Sequence, residues 1–177
     1  MKSFVLSSAL TAALAGAFAA TPAFAQVLGL DAAACAGNEG PAILATLTGL
    51  KDRKGTVKLE LYPANEADFL KGDRDLIAQG KLFRRVRVSV PAAGAVQMCI
   101  RVPRAGRYAL FAGHDRDGKN KFNFFSDGAG FPSNRKLGMS RPKLAEALID
   151  AGAGVTTTTI RMQYLHGLSG FSPAKGG

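Results

Sequence analysis

The chain contains no tryptophan, only two cysteines, and little more than half as many acidic as basic residues. Two cysteines are too few for a disulfide-dense miniprotein and for a structural zinc site built from four cysteines. The hydrophobic fraction of 47% excludes an intrinsically disordered chain. The length of 177 residues predicts one domain. The net charge of +10 is typical of proteins that bind nucleic acid.

The first 25 residues have the organisation of a secretory signal peptide. Lys2 supplies a positive start, residues 4–20 form an uncharged apolar run, Pro22 ends that run, and Ala23-Phe24-Ala25 offers small residues to a signal peptidase. We therefore predict cleavage after Ala25 and a periplasmic or extracellular protein with no transmembrane segment. Because the remaining chain carries no nucleic-acid recognition motif, we expect no nucleic-acid partner.

Two other interpretations of this segment are a membrane anchor and a lipoprotein signal. The apolar run is near the lower length limit for spanning a membrane. Lipidation would have to occur at Cys35, but Gln26 and Asp31 lie between the run and that cysteine. Cleavage after residue 25 is therefore favoured.

Export also decides how the cysteines are interpreted. In an oxidising compartment, a single pair of cysteines predicts one disulfide, here between Cys35 and Cys99. The alternative is a catalytic thiol, which needs an activating base, and neither cysteine has a histidine near it in sequence.

Most of the mature chain has the period-two alternation of β-strands. The predicted strands cover residues 42–50, 56–62, 82–90, 95–102, 107–112 and 155–165. One short helix is predicted within residues 142–151. We expect an N-terminal segment at 26–41, an all-β domain at 42–165 and a flexible tail at 166–177. Short turns between the strands favour an antiparallel β-sandwich, with a closed barrel as the alternative.

A polar loop at residues 113–123 follows one of these strands and carries the residues most like a metal site. Calcium loops collect oxygen ligands from alternate residues, and the candidates are Asp115, Asp117, Asn120 and Asn123. Lys119 stands where a further ligand is expected and would repel the ion. The competing interpretation is a turn in which these side chains bond their own backbone.

The same loop begins with a histidine beside an aspartate. His114 and Asp115 could serve a hydrolase-type enzyme as a base and the group that orients it. No serine or cysteine in a recognisable nucleophile motif accompanies them, so a structural histidine is the favoured interpretation.

An aromatic segment follows the loop and is rich in phenylalanine. Aromatic rings beside a glycine-rich stretch can form a platform for a flat or sugar-like ligand, or can fill the end of a sandwich as core. Nearby basic residues would attract an anionic partner. The candidate ligand-binding residues are His114, Phe124, Phe125, Phe131, Arg135 and Lys136.

Several of these segments together resemble a bacterial exported family known as domain of unknown function 2141. The similar segments are Gly55-Thr56-Val57-Lys58-Leu59-Glu60-Leu61-Tyr62, Arg107-Tyr108-Ala109-Leu110-Phe111-Ala112 followed by Gly113-His114-Asp115, and Gly128-Ala129-Gly130-Phe131-Pro132-Ser133-Asn134. The resemblance covers residues 42–165. It implies a small, exported immunoglobulin- or transthyretin-like sandwich with no established activity. The residue patterns predict that this sandwich has about seven strands and one short helix.

These observations predict an exported, non-catalytic binding or structural module of the bacterial cell envelope. Its expected partners are anionic envelope components or another envelope protein, and no cofactor is expected apart from calcium. The alternatives are a calcium-stabilised domain that uses the turn at Asp115 and Asp117, and a hydrolase that uses His114 and Asp115.

Overall fold

The computed structural model describes residues 26–174 and contains eleven strands and three short α-helices. The predicted signal peptide, residues 1–25, lies outside the described residues. The helices are α1 (Ala32–Ala36), α2 (Asp73–Ala78) and α3 (Leu144–Ala147). The strands are β1 (Val27–Leu28), β2 (Ala42–Thr48), β3 (Thr56–Pro63), β4 (Arg84–Ser89), β5 (Val96–Arg101), β6 (Gly106–Asp115), β7 (Gly128–Gly130), β8 (Leu148–Ala151), β9 (Val155–Arg161), β10 (Gln163–Leu165) and β11 (Phe171–Pro173).

The strands form two sheets. The smaller sheet has the order β1-β5-β2-β9. The larger sheet has the order β11-β10-β7-β6-β3-β4, and β8 pairs with the first half of β6. Apolar side chains from both sheets meet in one core that includes Ile43, Met98 and Ile160 from the smaller sheet and Leu59 and Leu110 from the larger one. The prediction of a mostly β structure is therefore confirmed.

The sequence pattern predicts purely antiparallel sheets, and the structure differs from this prediction in the smaller sheet. All pairs in the larger sheet are antiparallel, but β1 runs parallel to β5 and β9 runs parallel to β2. The reason for the second pairing is the crossover before β9. After β8 the chain leaves the larger sheet and passes Gly154, whose carbonyl accepts a hydrogen bond from Ala42 at the start of β2. It therefore enters the smaller sheet at the end where β2 begins and runs in the same direction.

Four of the strands were not predicted, because they are too short to show a period. These strands are β1, β7, β8 and β11, with two to four residues each. β8 occupies part of the region where a helix was predicted, and α3 retains only four residues of it. The predicted flexible tail also differs: β11 pairs with β10, and Phe171 is buried against the larger sheet.

The N-terminal segment lies against the smaller sheet. β1 pairs with β5, and α1 contacts both β5 and β2. Cys35 in α1 and Cys99 in β5 are at disulfide distance, with sulfurs 1.98 Å and Cα atoms 5.9 Å apart. Asp31, one residue before α1, is buried and accepts hydrogen bonds from the side chain of Arg84 at 2.7 Å and the backbone of Arg101 at 2.9 Å. The segment is thus tied to the domain covalently and electrostatically.

Candidate functional site

The candidate site lies on the outer face of the larger sheet. Strand alternation alone would suggest that this face is exposed to solvent, but a second layer of the chain covers it. In β3, Leu59 points into the inner core, while Lys58, Glu60 and Tyr62 point outward. The chain covers this outer face with the connection that contains α2 and with residues 131–147. The aromatic and apolar side chains that pack there are Tyr62, Phe69, Leu76, Ala109, Phe111, Ala129, Phe131, Ala147 and Phe171.

A network of charged groups lies within this outer layer. Glu60 is 3% exposed and accepts hydrogen bonds from the Tyr62 hydroxyl at 2.6 Å and from Arg85 Nε at 2.7 Å. Lys58 Nζ lies 2.9 Å from the same oxygen of Glu60 that Arg85 contacts. Arg85 also donates to Asp73 at the start of α2, at 2.8 Å. Both oxygens of Glu60 are therefore occupied by donors.

The network keeps Glu60 ionised although the carboxylate is buried. Burial alone would raise the pKa of Glu60, but the attraction of Lys58 and the hydrogen bond from Tyr62 outweigh it and hold that pKa below its ordinary value. Burial and the same carboxylate raise the pKa of Tyr62. The hydroxyl of Tyr62 therefore stays protonated and donates to Glu60 at any physiological pH.

A pocket of about 370 Å³ opens over this network. Its charged lining residues are Lys58, Glu60 and Arg141, and its remaining lining residues are Leu70, Phe111, Phe122, Phe124, Ala129, Phe131, Met139, Ser140 and Pro142. A concave site with mainly apolar walls and a few fixed polar groups has the form of a small-molecule binding site. We call it the outer pocket.

The position of Lys58 in the outer pocket is set by its neighbours on β6. In the sheet register, Lys58 stands opposite Gly113. A Cβ atom on Gly113 would lie 2.7 Å from Cε of Lys58 and 3.0 Å from the ring of Phe111. The absence of a side chain at Gly113 thus lets the lysine cross β6, where its ammonium lies 5.6 Å from the centre of the Phe111 ring.

The structure brings together only some of the predicted ligand-binding residues. Phe124 and Phe131 line the outer pocket, whereas Phe125 is 84% exposed and contacts Phe124 edge to face. Arg135 and Lys136 are exposed and are not among its lining residues.

Three lining residues of the pocket, which are Lys58, Glu60 and Phe111, were not identified from the sequence. The alternation in β3 places Lys58 and Glu60 on the face opposite Val57, Leu59 and Leu61, but it does not identify them as site residues. The signal in the sequence was a pair of opposite charges two residues apart on one face of a strand, followed on the same face by Tyr62. Strand alternation, however, gives no information on whether a second layer of the chain covers that face.

His114 lies on the opposite face of the larger sheet, at the end of the inner core, and is fully buried. Its Nε2 lies 2.7 Å from the carbonyl of Lys54, which can only accept, so Nε2 carries the hydrogen. Nδ1 then accepts from the hydroxyl of Tyr164 at 2.6 Å, and that hydroxyl accepts from the backbone N–H of Lys51 at 3.0 Å. Burial raises the pKa of Tyr164 to about 12. Both ring nitrogens are thus engaged within the protein.

This arrangement predicts that stability depends on pH through His114. Burial lowers the pKa of His114 below its ordinary value of 6.5, against the opposing effect of the hydrogen bond to Lys54. As the pH falls through 6.5, the unfolded chain gains a proton that the folded chain does not, so the free energy of unfolding decreases. We expect the free energy of unfolding to fall as the pH is lowered from 6.5 to 5, by no more than about 1.4 kcal/mol per pH unit, measured by urea unfolding at a series of pH values.

The control for this prediction is a variant that lacks the buried imidazole. His114→Gln should flatten the pH dependence in this range. An unchanged slope in His114→Gln would contradict the assignment.

The predicted metal-ligating loop brings three carboxylates together. One oxygen from each of Asp115, Asp117 and Asp127 lies within 4.8 Å of the others, and Asp127 is a member that the sequence pattern did not indicate. All three accept backbone N–H groups, as a turn of this kind requires. The donors are Gly118 and Asn120 for Asp115, Lys119 for Asp117, and Arg116 and Asn123 for Asp127.

The two predicted asparagine ligands are also engaged within the protein. The side-chain oxygen of Asn120 accepts from Arg87. The amide of Asn123 donates to Asp117 at 2.9 Å, which lowers the pKa of that aspartate. Lys119 Nζ lies 3.6 Å from the same carboxylate. Calcium binding by this loop stays a prediction.

The fold and the site define the class of protein: a two-sheet β protein with cysteines at disulfide distance and a pocket on the outer face of its larger sheet. The chain belongs to the family described as "Uncharacterized protein conserved in bacteria (DUF2141)", whose match covers residues 45–159. The predicted family is therefore confirmed, and the matched range contains every lining residue of the outer pocket.

Comparisons with curated proteins and with solved structures gave no match. Within the part of the chain that the structure describes, no helix has both the length and the apolar character needed to cross a membrane.

Proposed function

We propose that the protein is an exported, non-catalytic binding module of the bacterial cell envelope, and that the outer pocket holds its ligand. The observation that carries this proposal is the pocket itself, an apolar cavity of about 370 Å³ placed over a buried network of charged groups. Binding sites commonly combine an apolar wall for affinity with a few oriented polar groups for specificity.

Two observations support the non-catalytic and exported parts of this proposal. His114, the candidate base, has both ring nitrogens bonded inside the protein and lies on the face opposite the pocket. Cysteines at disulfide distance are typical of an oxidising compartment, in keeping with the predicted signal peptide.

The two packed sheets are consistent with the immunoglobulin- or transthyretin-like sandwich that the family resemblance implies. We propose that the fold is of this type.

The surface around the pocket supports an anionic partner. Arg135, Lys136 and Lys143 are exposed on the connection that also supplies Arg141 to the pocket lining. With a net charge of +10 on the whole chain, this surface favours anionic envelope components such as lipopolysaccharide, phospholipid head groups or acidic glycans.

The test uses N-phenyl-1-naphthylamine, a neutral aromatic dye whose fluorescence rises in apolar surroundings. We expect saturable binding with a Kd of about 1–100 µM. Ser140→Trp places a large side chain at the pocket and should weaken binding at least about tenfold.

The control for this substitution is Ser89→Trp, at the exposed end of β4 and outside the pocket lining. It should bind the dye like the parent protein. Equal binding by both variants would show that the dye occupies another surface and would contradict the proposed site.

A further inference from the structure

We propose that the ligand of the outer pocket is an amphiphilic monoanion, an acyl chain or aromatic body that ends in a carboxylate, and that this carboxylate pairs with Lys58. The inference rests on the proposed function, because it assigns a chemical class to the ligand of the same pocket. It follows from the hydrogen-bonding capacity of the charged groups in the pocket, from their net charge and from the nature of the pocket walls.

Lys58 has unused hydrogen-bonding capacity in the pocket. An ammonium has three N–H donors, and among the described residues Glu60 is the one acceptor within hydrogen-bond distance of Lys58 Nζ. The lysine side chain is only 10% exposed, so bulk water reaches it poorly. Glu60, in contrast, already receives Lys58, Arg85 and Tyr62. A ligand that supplies a hydrogen-bond acceptor can therefore bind to Lys58, whereas Glu60 already has donors at both of its oxygens.

The net charge of the lining favours an anion. Lys58, Glu60 and Arg141 are the charged residues that line the pocket, which gives one net positive charge. Behind Glu60, Arg85 and Asp73 form their own ion pair and cancel. Electrostatic attraction is stronger in such a poorly solvated site than in water. An anionic group should thus bind beside Lys58, and a cationic ligand should be excluded.

A single negative charge fits this site better than two. The lysine lies 2.9 Å from Glu60, so any anion bound to it is also close to that carboxylate. A carboxylate adds one charge and balances the lining, whereas a dianionic phosphate would leave an uncompensated negative charge near Glu60. A dianionic phosphate monoester is therefore disfavoured by the same network that attracts the carboxylate, whereas a phosphodiester, as in a phospholipid head group, adds only one negative charge.

The remaining walls determine what the carboxylate is attached to. Phe111, Phe122, Phe124 and Phe131 line the pocket, and none of these side chains carries a polar atom. They offer apolar contact along an acyl chain and stacking or edge contacts to an aromatic ring. Phe122 and Phe124 are about 40% exposed, so part of the wall becomes buried only when a ligand is bound.

The experiment measures displacement of N-phenyl-1-naphthylamine by three ligands with the same ten-carbon chain: decanoate, decanol and decyl phosphate. We expect decanoate to compete at least about tenfold more tightly than decanol and more tightly than decyl phosphate. Lys58→Met keeps an apolar stem, removes the ammonium and should abolish the preference for decanoate over decanol, while decanol binds as before. Lys58→Arg should retain the preference.

The matched control is Lys51→Met, an exposed lysine in the turn after β2 that changes the net charge equally. It should leave the decanoate preference intact. Thermal melts of each variant show whether it is folded, and calorimetric titration with decanoate gives a reading that does not depend on the dye.

The outcomes separate this inference from the proposed function. Dye binding with equal competition by decanoate and decanol would leave the proposed pocket standing and overturn the anionic ligand. Tighter competition by decyl phosphate, or a preference that survives in folded Lys58→Met, would also overturn it. Absence of both dye binding and decanoate binding by calorimetry would overturn the two proposals together.

Discussion

Glu60→Leu is expected to lower the free energy of unfolding by about 3–5 kcal/mol, because it removes the one anion that neutralises a buried lysine. Lys58 would remain nine-tenths buried without its ion-pair partner, and the hydroxyl of Tyr62 would lose its acceptor. Arg85 would keep Asp73 and is the least affected member of the network. Urea unfolding at neutral pH measures the loss directly.

Two controls test the reason for this loss. The double variant Lys58→Met with Glu60→Leu removes both charges, so it should recover a substantial part of the stability. Asp150→Asn breaks the exposed ion pair with Arg107 on the same sheet and should have a much smaller effect than Glu60→Leu. A double variant no more stable than Glu60→Leu would indicate that the loss comes from packing and not from the uncompensated charge.

The strands that could be predicted are those long enough to display their period. β2 to β6 and β9 have six to ten residues each and bury alternate side chains in the inner core. Strands of two to four residues contain two periods at most, so β7 and β8 showed no detectable strand pattern. Their position depends on pairing with β6, and such pairing is decided by distant parts of the chain.

The outer pocket could not be predicted, because it depends on what covers the second face of the larger sheet. Alternation in β3 separates Leu59 from Glu60 correctly, but it cannot show that Phe69 and Phe131, from two different connections, cover that face. The aromatic segment shows the same limit. Phe131 is buried and Phe125 is exposed although both belong to one phenylalanine-rich stretch, and the difference is set by tertiary contacts.

The cysteine pair gives the second large expected effect. Replacing Cys35 and Cys99 by serine should lower the free energy of unfolding by about 4 kcal/mol, because the cross-link spans 64 residues and its loss enlarges the conformational entropy of the unfolded chain. The parent protein in reducing buffer should lose a similar amount. The measurement is urea unfolding with and without dithiothreitol.

The double serine variant supplies its own control, since dithiothreitol should not change its stability. We expect it to fold, because Asp31 still binds Arg84 and the backbone of Arg101, and β1 still pairs with β5. Its outer pocket should also bind N-phenyl-1-naphthylamine as before, because the pocket lies on the larger sheet and the cross-link on the smaller one. A loss below about 1 kcal/mol would mean that the cross-link does not restrict the unfolded chain as its loop length requires. Loss of dye binding in a folded variant would instead show that the two sheets are coupled through the core that they share.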